Sequence, residues 1–386
     1  MISKGSLRHS FHNIFQEDAQ LYVKSPGRIN IIGEHTDYNK GLVLPAAIDK
    51  YIYVAISQRQ DRQIKLYSAG YKERFTTNLE ADIPPDTPGW VKYIIGVSQI
   101  IQSRTGKIQG FNMYIDGDVP LGAGLSSSAA LTCAAGFGLN ELFNCNLSRL
   151  DIAKIGQQTE HEYIGLMCGL MDQFASVMGK KNSAIKLDCK DLSYEYIPID
   201  WSDYEILLLN TNVKHNLAST AYNDRRAACE QGVAWVREHE PAVSSLRDVS
   251  ITQLDKWVKG KNLDVYTKCR FVIEENQRVQ EACKTLQNND IDKLGKLLFT
   301  AHWALSREYE VSCPELDFLI EAAEVFSSNL GARMMGGGFG GCTINILKKG
   351  RSEVFLEKIE STYKEKFGFS LTPIRINLGE GTSLIN

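Results

Sequence analysis

The 386-residue sequence carries little net charge, has no long apolar run and has no closely spaced cysteine pair. With a formal net charge of −3, the chain lacks the excess of basic residues typical of proteins that bind nucleic acid or anionic membranes. No apolar run is long enough to span a bilayer, and the polar segment 1–15 does not resemble a secretory signal. The nine cysteines show no Cys-x-x-Cys spacing, which argues against a zinc knuckle. We therefore expect a reduced, cytoplasmic protein that binds neither nucleic acid nor membrane.

The sequence also lacks the Gly-x-x-x-x-Gly-Lys-[Ser/Thr] motif, which disfavours a Walker-type nucleotidase. It instead has a loop of glycines and serines between a predicted strand and a predicted alanine-rich helix. Glycines let the backbone approach an oxyanion, and the first N–H groups of a serine-capped helix point at it, so this loop predicts a phosphate site. An ordinary helix cap is the alternative, although a cap requires fewer such residues. The loop residues are Gly122, Ala123, Gly124, Leu125, Ser126, Ser127 and Ser128.

The same loop is a poor match to a dinucleotide-binding fold. Ser127 stands where Gly-x-Gly-x-x-Gly requires its third glycine. Glu141 lies at about the distance of a ribose-binding acid, but it belongs to the same helical run and does not follow a second strand. A Rossmann-type domain is therefore disfavoured.

A second polar cluster lies in the segment 25–39, between two apolar strands. Arg28 is suited to brace a developing phosphate charge. Glu34, His35 and Asp37 are suited to hold the hydroxyl groups of a polyol. A solvated hairpin with Arg28 in a salt bridge is the alternative, but this many polar groups in so short a segment favour a site.

Two acids and two aromatic residues are further candidates. Asp172 lies among apolar residues, where a carboxylate is costly unless it is paired or functional, but a first-turn acid that satisfies helix N–H groups stays equally possible. Glu160 is either a Mg²⁺ ligand or a solvated helix acid. Trp90 and Tyr93 share one helix face and either wall an adenine or belong to the core.

The remaining pattern predicts an α+β architecture, because strands and helices do not alternate regularly. We expect two domains, 1–195 and 196–386, with a last strand that is free to return to the first domain. The glycine run 336–341 is predicted to support the phosphate loop at a tight turn. Strands are predicted within 21–58, 185–199, 205–210, 342–347 and 372–377, and helices within 90–101, 218–237, 316–328 and 353–367.

These clusters, in this order, resemble the GHMP superfamily of small-molecule kinases, and the match narrows to the galactokinase family. The resemblance extends from about residue 15 to residue 386. The segment 27–39 resembles the family's sugar motif and is highly specific, whereas 120–130 resembles the ATP loop of the whole superfamily. The other matching segments are 168–174, 210–215 with 221–226, 309–316 and the glycine run from 336.

The resemblance implies a two-domain GHMP kinase fold, with an N-terminal domain like ribosomal protein S5 domain 2 and a ferredoxin-like C-terminal domain. It implies ATP and Mg²⁺ as cofactors and phosphorylation of D-galactose at its C1 hydroxyl. Asp172 would take the proton of that hydroxyl, and Arg28 would face the transferring phosphoryl group. The other implied roles are sugar binding by Glu34, His35, Asp37, Gly169 and Tyr222, phosphate binding by the 122–128 loop, metal binding by Ser127 and Glu160, and adenine binding by Trp90 and Tyr93.

Two alternatives stay open at this point. One is a sibling kinase such as an N-acetylgalactosamine kinase, which would need room around the C2 substituent. The other is a non-catalytic sensor of galactose and ATP, which we would expect to have a damaged serine loop. Galactose and ATP are the expected partners, and we expect a monomer or a weak homo-oligomer.

Overall fold

A computed structural model of the chain describes residues 2–120, 122–213 and 218–385, apart from the side chains of 218–220. Leu121, Lys214 and His215 of the predicted motifs therefore lie outside the described residues. The strands are β1 (Leu21–Asn30), β2 (Leu42–Val43), β3 (Pro45–Gln58), β4 (Gln63–Ser68), β5 (Glu73–Asn78), β6 (Phe111–Gly117), β7 (Ser183–Asp188), β8 (Tyr194–Pro198), β9 (Tyr204–Asn210), β10 (Asn329–Met334), β11 (Cys342–Lys348), β12 (Thr372–Ile376) and β13 (Ser383–Leu384). The helices are α1 (Lys4–Phe15), α2 (Gly89–Thr105), α3 (Ser127–Leu142), α4 (Arg149–Thr159), α5 (Met171–Met178), α6 (Ala218–Arg237), α7 (Ile251–Trp257), α8 (Leu263–Gln287), α9 (Ile291–Arg307), α10 (Pro314–Glu324) and α11 (Ser352–Phe367).

The first large sheet has six strands in the order β13-β1-β3-β6-β4-β5. Neighbouring strands are antiparallel except for β4 and β6, which are parallel. Helix α3 packs on β1 and β3. Its Gly138 permits this close packing, because a Cβ there would lie 2.4 Å from Cδ1 of Ile56. The start of α3 is thereby held over the end of β1, where the two polar clusters of the sequence meet.

The second sheet has four antiparallel strands in the order β10-β11-β9-β12. Strands β9 and β10 are separated in sequence by the helices α6 to α10, and β11 and β12 are separated by α11. In this order β11 lies between β9 and β10, and β9 lies between β11 and β12. This is the split βαβ arrangement of a ferredoxin-like unit. The C-terminal half therefore has the topology expected from the sequence, with an additional helical insertion.

Two smaller features connect the halves. A three-stranded sheet, β2-β7-β8, packs its outer strands on α8. Strand β13 follows the second sheet in the chain but pairs with β1 of the first sheet. The division into domains at 1–195 and 196–386 stays a prediction.

Most predicted elements are confirmed, with two differences. The helix predicted over 316–328 runs from Pro314 to Glu324. Proline is favoured in the first helical turn, and β10 begins at Asn329 soon after the helix ends. The polar segment at the start of the chain forms α1, which a capping box of Ser3 and Ser6 begins. In the described part of the chain, no helix is both long and apolar enough to cross a membrane.

Candidate active site

The loop between β6 and α3 turns sharply at three residues with positive φ. Gly122 and Gly124 have φ angles of 72° and 71°, and Ser126 has a φ of 56°. Helix α3 begins at the next residue, so its first backbone N–H groups are available to an anion. The hydroxyl of Ser126 does not cap α3 but donates a hydrogen bond to Oδ2 of Asp172 at 2.5 Å. The predicted serine cap is therefore wrong at Ser126, and the loop instead meets the candidate acid.

Arg28 holds Asp172 beside this loop. Its Nε and Nη2 donate to the two carboxylate oxygens of Asp172 at 2.8 and 2.9 Å, and its Nη1 donates to the carbonyl oxygen of Gly124 at 2.6 Å. The register of β1 against β3 shifts just before Arg28, and the preceding Gly27 leaves room for the loop. A Cβ at Gly27 would lie only 2.7 Å from the carbonyl oxygen of Leu125. The end of β1 and the glycine-serine loop are thus built to touch.

A cavity of about 290 Å³ opens in front of the Arg28–Asp172 pair. It is lined by residues from both halves of the chain, including the glycine run between β10 and β11. All the residues predicted to contact a sugar line it, namely Glu34, His35, Asp37, Gly169 and Tyr222. Residues that are distant in sequence therefore share one concave site, which is the usual form of a small-molecule site.

Glu34 is anchored to the glycine run. Its Oε1 accepts hydrogen bonds from the N–H of Gly336 at 2.8 Å and from Nη2 of Arg333 at 3.0 Å. Arg333 is fully buried and also donates through Nε to the carbonyl oxygen of Ile31 at 2.7 Å. Within the described part of the chain, Oε2 of Glu34 accepts no hydrogen bond, so it remains available to a ligand.

Asp37 enters the cavity because residue 169 is a glycine. A Cβ at Gly169 would lie 1.9 Å from Oδ2 of Asp37. Burial and then the charge of Asp172 raise the pKa of Asp37 to about 7, although Arg28 acts in the opposite direction. Hydrogen-bond donors from a polyol would favour the charged form of this carboxylate.

His35 lies in an aromatic surround at the same cavity. Its Nδ1 is 2.8 Å from the hydroxyl of Tyr38, and the ring centroids of Tyr222 and Tyr309 are 5.2 and 4.9 Å from its own. Burial lowers the pKa of His35 to about 3, a shift that the Gly337 backbone opposes. The ring is therefore neutral at physiological pH.

Glu160 lies at the junction of α4 and a π-helical turn, Glu160–Ile164. Its Oε1 accepts a hydrogen bond from Nε2 of Gln173 at 3.2 Å, and its carboxylate also interacts with the hydroxyl of Ser128. Burial and then the charge of Asp172 raise the pKa of Glu160 to about 7. Carboxylate and hydroxyl oxygens are hard ligands that suit Mg²⁺. Ser127, which the sequence suggests as a ligand, lines the neighbouring cavity, and its metal-binding role stays a prediction.

No cluster of three or more His, Cys, Asp and Glu side chains in the described residues could hold a metal ion. A Mg²⁺ ion at Glu160 would therefore need most of its ligands from elsewhere. Mg²⁺ commonly binds in this way, with one or two protein ligands, several waters and the phosphates of a substrate. The donor set at Glu160 and Ser128 fits such an ion.

A second cavity of about 530 Å³ lies on the other side of the α3 start. Trp90 and Tyr93 line it, and Tyr71 stacks on Trp90 with a centroid distance of 6.2 Å and an interplanar angle of 12°. Ser127 and Ser128 also line this cavity, and Ser128 lines the first cavity as well. The two cavities therefore meet at the first turn of α3, where an anion would be favoured.

The comparisons with known proteins agree with this geometry. Residues 9–58 match the galactokinase galactose-binding signature, residues 92–180 match the GHMP kinases N terminal domain, and residues 281–365 match the GHMP kinases C terminal model. The galactokinase of Thermosipho africanus is 39% identical over 95% of this chain and 100% of its own length. The chain belongs to the galactokinase family. The galactokinase of Lactobacillus helveticus is 38% identical over 100% of both chains.

Solved structures give the same fold. The Lactococcus lactis galactokinase complexed with galactose superposes with a TM-score of 0.92, at 34% identity, over 98% of this chain and 99% of that chain. The Methanococcus jannaschii mevalonate kinase superposes with a TM-score of 0.68, at 18% identity, over 93% and 98%. At that identity the second likeness shows the fold alone. The chain thus has the two-domain GHMP kinase fold that the sequence implies.

Several residues that build the site are not found by motif reasoning. The glycine run was expected only to support the phosphate loop, but Gly336, Gly337 and Gly338 also line the first cavity. Tyr71 and Arg333 belong to no recognised motif, and each acts through a partner outside its own segment. A buried arginine in a strand pattern is the one clue that could have pointed to Arg333.

Proposed function

We propose that this protein transfers the γ-phosphoryl group of ATP to the C1 hydroxyl of D-galactose, giving galactose 1-phosphate and ADP. The observation that carries the proposal is the meeting of Arg28 and Asp172 with the α3 start, between a polyol-suited cavity and an aromatic cavity. Membership of the galactokinase family supports galactose as the substrate.

The sugar occupies the first cavity. The free oxygen of Glu34 and the carboxylate of Asp37 accept hydrogen bonds from sugar hydroxyls, which fixes the orientation of the ring. This orientation directs the C1 hydroxyl to the exposed part of Asp172, whose side chain is 30% exposed. Positioning of this kind supplies much of the rate enhancement in phosphoryl transfer.

Asp172 acts as the base, and Arg28 acts as its cationic partner. Asp172 takes the proton of the C1 hydroxyl as the oxygen attacks phosphorus. Arg28 keeps the carboxylate oriented through its two hydrogen bonds and places positive charge next to the transferring group. Because a loose transition state needs the hydroxyl to lose its proton only late, a weak base is sufficient.

ATP spans the two cavities. Its adenine lies against Trp90 and Tyr93, and its phosphates lie over the 122–128 loop and the first N–H groups of α3. Glu160 and a serine of the α3 start, Ser128 or the predicted Ser127, would hold Mg²⁺. When it is bound, Mg²⁺ neutralises charge on the phosphates.

The test compares Asp172→Asn with a matched control. Asp188→Asn removes the charge from another Arg–Asp pair, in which Nη2 of Arg247 donates to Asp188 at 2.8 Å outside the candidate cavities. Coupled ADP-release assays with galactose, N-acetylgalactosamine and no sugar give the activity, and calorimetry gives galactose binding. We expect Asp172→Asn to lower kcat by at least about 10³-fold, with galactose binding still measurable, and Asp188→Asn to keep near-normal turnover.

Two outcomes would contradict the proposal. Near-normal turnover of Asp172→Asn would remove that residue from its role. ADP release from the unaltered protein that does not depend on galactose, or that N-acetylgalactosamine stimulates more strongly, would reject galactose as the acceptor.

A further inference from the structure

The hydroxyl of Ser126 is directed at Asp172 and not at the phosphate site. Its Oγ donates a hydrogen bond to Oδ2 of Asp172 at 2.5 Å. A serine hydroxyl has one hydrogen, so this side chain has no donor left for a phosphate oxygen. The Ser126 oxygen then presents only lone pairs, which repel the oxygens of a phosphate. The phosphate role that the loop sequence suggests therefore does not suit the side chain of Ser126, although the backbone N–H groups at the start of α3 still suit an anion.

The backbone of Ser126 has a conformation that serine rarely adopts. Its φ of 56° and ψ of 48° lie in the left-handed region, where a residue with a Cβ is disfavoured. Such conformations persist only where the surrounding structure holds them, and they are concentrated at functional sites. Here the conformation places the hydroxyl on Asp172 instead of on the N–H groups of its own helix. Glycine would adopt it without this cost, so a serine at this position indicates a use for the hydroxyl.

The carboxylate of Asp172 depends on donors outside its own helix. Asp172 lies in the first turn of α5, but in the described part of the chain no N–H group of α5 donates to it. The carboxylate accepts instead from Nε and Nη2 of Arg28 and from Oγ of Ser126. Arg28 also donates to the carbonyl oxygen of Gly124, two residues before Ser126. The loop, the arginine and the candidate base therefore form a closed ring of contacts.

The two carboxylate oxygens of Asp172 are not equivalent. Oδ2 accepts from Arg28 at 2.9 Å and from Ser126 at 2.5 Å, whereas Oδ1 accepts only from Nε of Arg28 among the described residues. Each oxygen of an ionised carboxylate has about two lone-pair positions. Oδ2 is therefore fully occupied, and Oδ1 keeps one position for a further hydrogen. The side chain is 30% exposed and lines the first cavity, so a hydroxyl group there can reach the carboxylate.

We propose that Ser126 is a positioning residue for the base Asp172 and not a phosphate ligand: its hydroxyl occupies Oδ2, so that Oδ1 takes the proton of the C1 hydroxyl. The inference deepens the proposed function and rests on it for the reaction. As the C1 oxygen forms its bond to the γ-phosphorus, its O–H bond breaks and the proton passes to Oδ1. The bond between the γ-phosphorus and the β–γ bridging oxygen breaks, and ADP leaves. Ser126 touches none of the reacting atoms and acts by holding the carboxylate in the geometry that this transfer requires.

The test compares Ser126→Gly with Ser126→Ala. Both variants lack the hydroxyl, but glycine tolerates the left-handed φ whereas alanine retains a Cβ. The matched control is Asn144→Gly, which replaces an exposed residue with a φ of 49° just beyond the opposite end of α3. Coupled ADP-release assays at varied galactose and ATP give kcat and both KM values, and urea unfolding shows whether each variant is folded.

We expect Ser126→Gly to lower kcat about tenfold or more, with KM for ATP and KM for galactose each within about twofold of the unaltered protein. Ser126→Ala should lower kcat by a similar factor, because both variants lose the same hydrogen bond. Asn144→Gly should leave kcat and both KM values unchanged.

Normal kcat in both Ser126 variants would overturn the inference. A rise in KM for ATP of more than about fivefold in Ser126→Gly would place the hydroxyl on the nucleotide and would also overturn it, whatever the kcat. A fall in kcat confined to one of the two variants would assign the effect to the backbone and not to the hydroxyl, with the same result. Failure of the proposed function has a different signature, because the unaltered protein itself would then show no galactose-dependent ADP release.

Discussion

Arg333 is the residue whose removal should most damage the connection between the two halves of the site. Its guanidinium is fully buried and donates to the carbonyl oxygens of Asn30, Ile31 and Met334 and to Oε1 of Glu34. Arg333→Met keeps much of the side-chain length but removes every one of these hydrogen bonds. It also leaves the Glu34 carboxylate, which is 2% exposed, without its cationic partner.

The expected cost can be worked out from this geometry. Removing one partner of a buried ion pair typically costs about 3–5 kcal/mol, because the remaining charge is left uncompensated. The abandoned carbonyl oxygens favour the upper part of that range, whereas the N–H of Gly336 still donates to Glu34 and limits the loss. With a urea dependence of about 3 kcal/mol per molar, the unfolding midpoint should fall by about 1–1.7 M.

The assay is urea unfolding followed by circular dichroism, with Arg375→Met as the control. Arg375 is also a strand arginine paired with a glutamate, Glu353, but its side chain is 49% exposed. Its removal should cost no more than about 1 kcal/mol. Adding Glu34→Gln to Arg333→Met should cost less than the sum of the single changes, because the charge left unpaired is then absent. If Arg333→Met and Arg375→Met shifted the midpoint equally, burial of the pair would not be what stabilises this junction.

Three further predictions concern the cavities. Gly169→Ala should raise KM for galactose at least about tenfold, because its Cβ would lie 1.9 Å from Oδ2 of Asp37; initial rates at varied galactose would refute this if KM were unchanged. The pKa of Asp37 is raised to about 7, and we expect its ionised form to bind the sugar, so KM for galactose should fall as the pH rises from about 6 to about 8. The fall should be up to about tenfold per pH unit below the pKa. Asp37→Asn should abolish this pH dependence of KM, and a dependence that persists in that variant would reject the assignment. Glu160→Gln should raise the Mg²⁺ concentration for half-maximal activity about tenfold or more in a Mg²⁺ titration, and an unaltered requirement would place the ion elsewhere.

Sequence reasoning performs well where a function needs a local pattern. The glycine-serine loop, Arg28 and Asp172 each stand in a segment whose composition is costly without a function, and the structure brings them into contact. The order of strands in the C-terminal half also follows from the family resemblance. The loop, Arg28 and Asp172 were predictable because each belongs to a pattern of neighbouring residues in one segment, whereas the strand order was predictable only through the resemblance.

The rest depends on contacts that no local pattern encodes. Ser126 adopts a left-handed conformation and bonds to Asp172, so its position before a helix predicts the wrong partner. The choice between Ser127 and Ser128 as the serine beside Glu160 depends on the rotation of α3, which is set by packing on the sheet. Arg333 donates a hydrogen bond to Glu34 although the two residues are 299 positions apart in the sequence.

The pairing of β13 with β1 has a consequence for how the molecule matures. Thr382, just before β13, hydrogen-bonds to Ser25 and Ser176, and its carbonyl oxygen accepts from Arg149. The edge of the first sheet is therefore missing until the ribosome has passed through the entire second half. A nascent chain ending near residue 195 would expose the unpaired edge of β1, which could pair with another chain and aggregate. Pairing with β13 covers that edge. The first sheet is complete only when the C-terminal half is present. We therefore expect neither half to be stable as a separately expressed fragment.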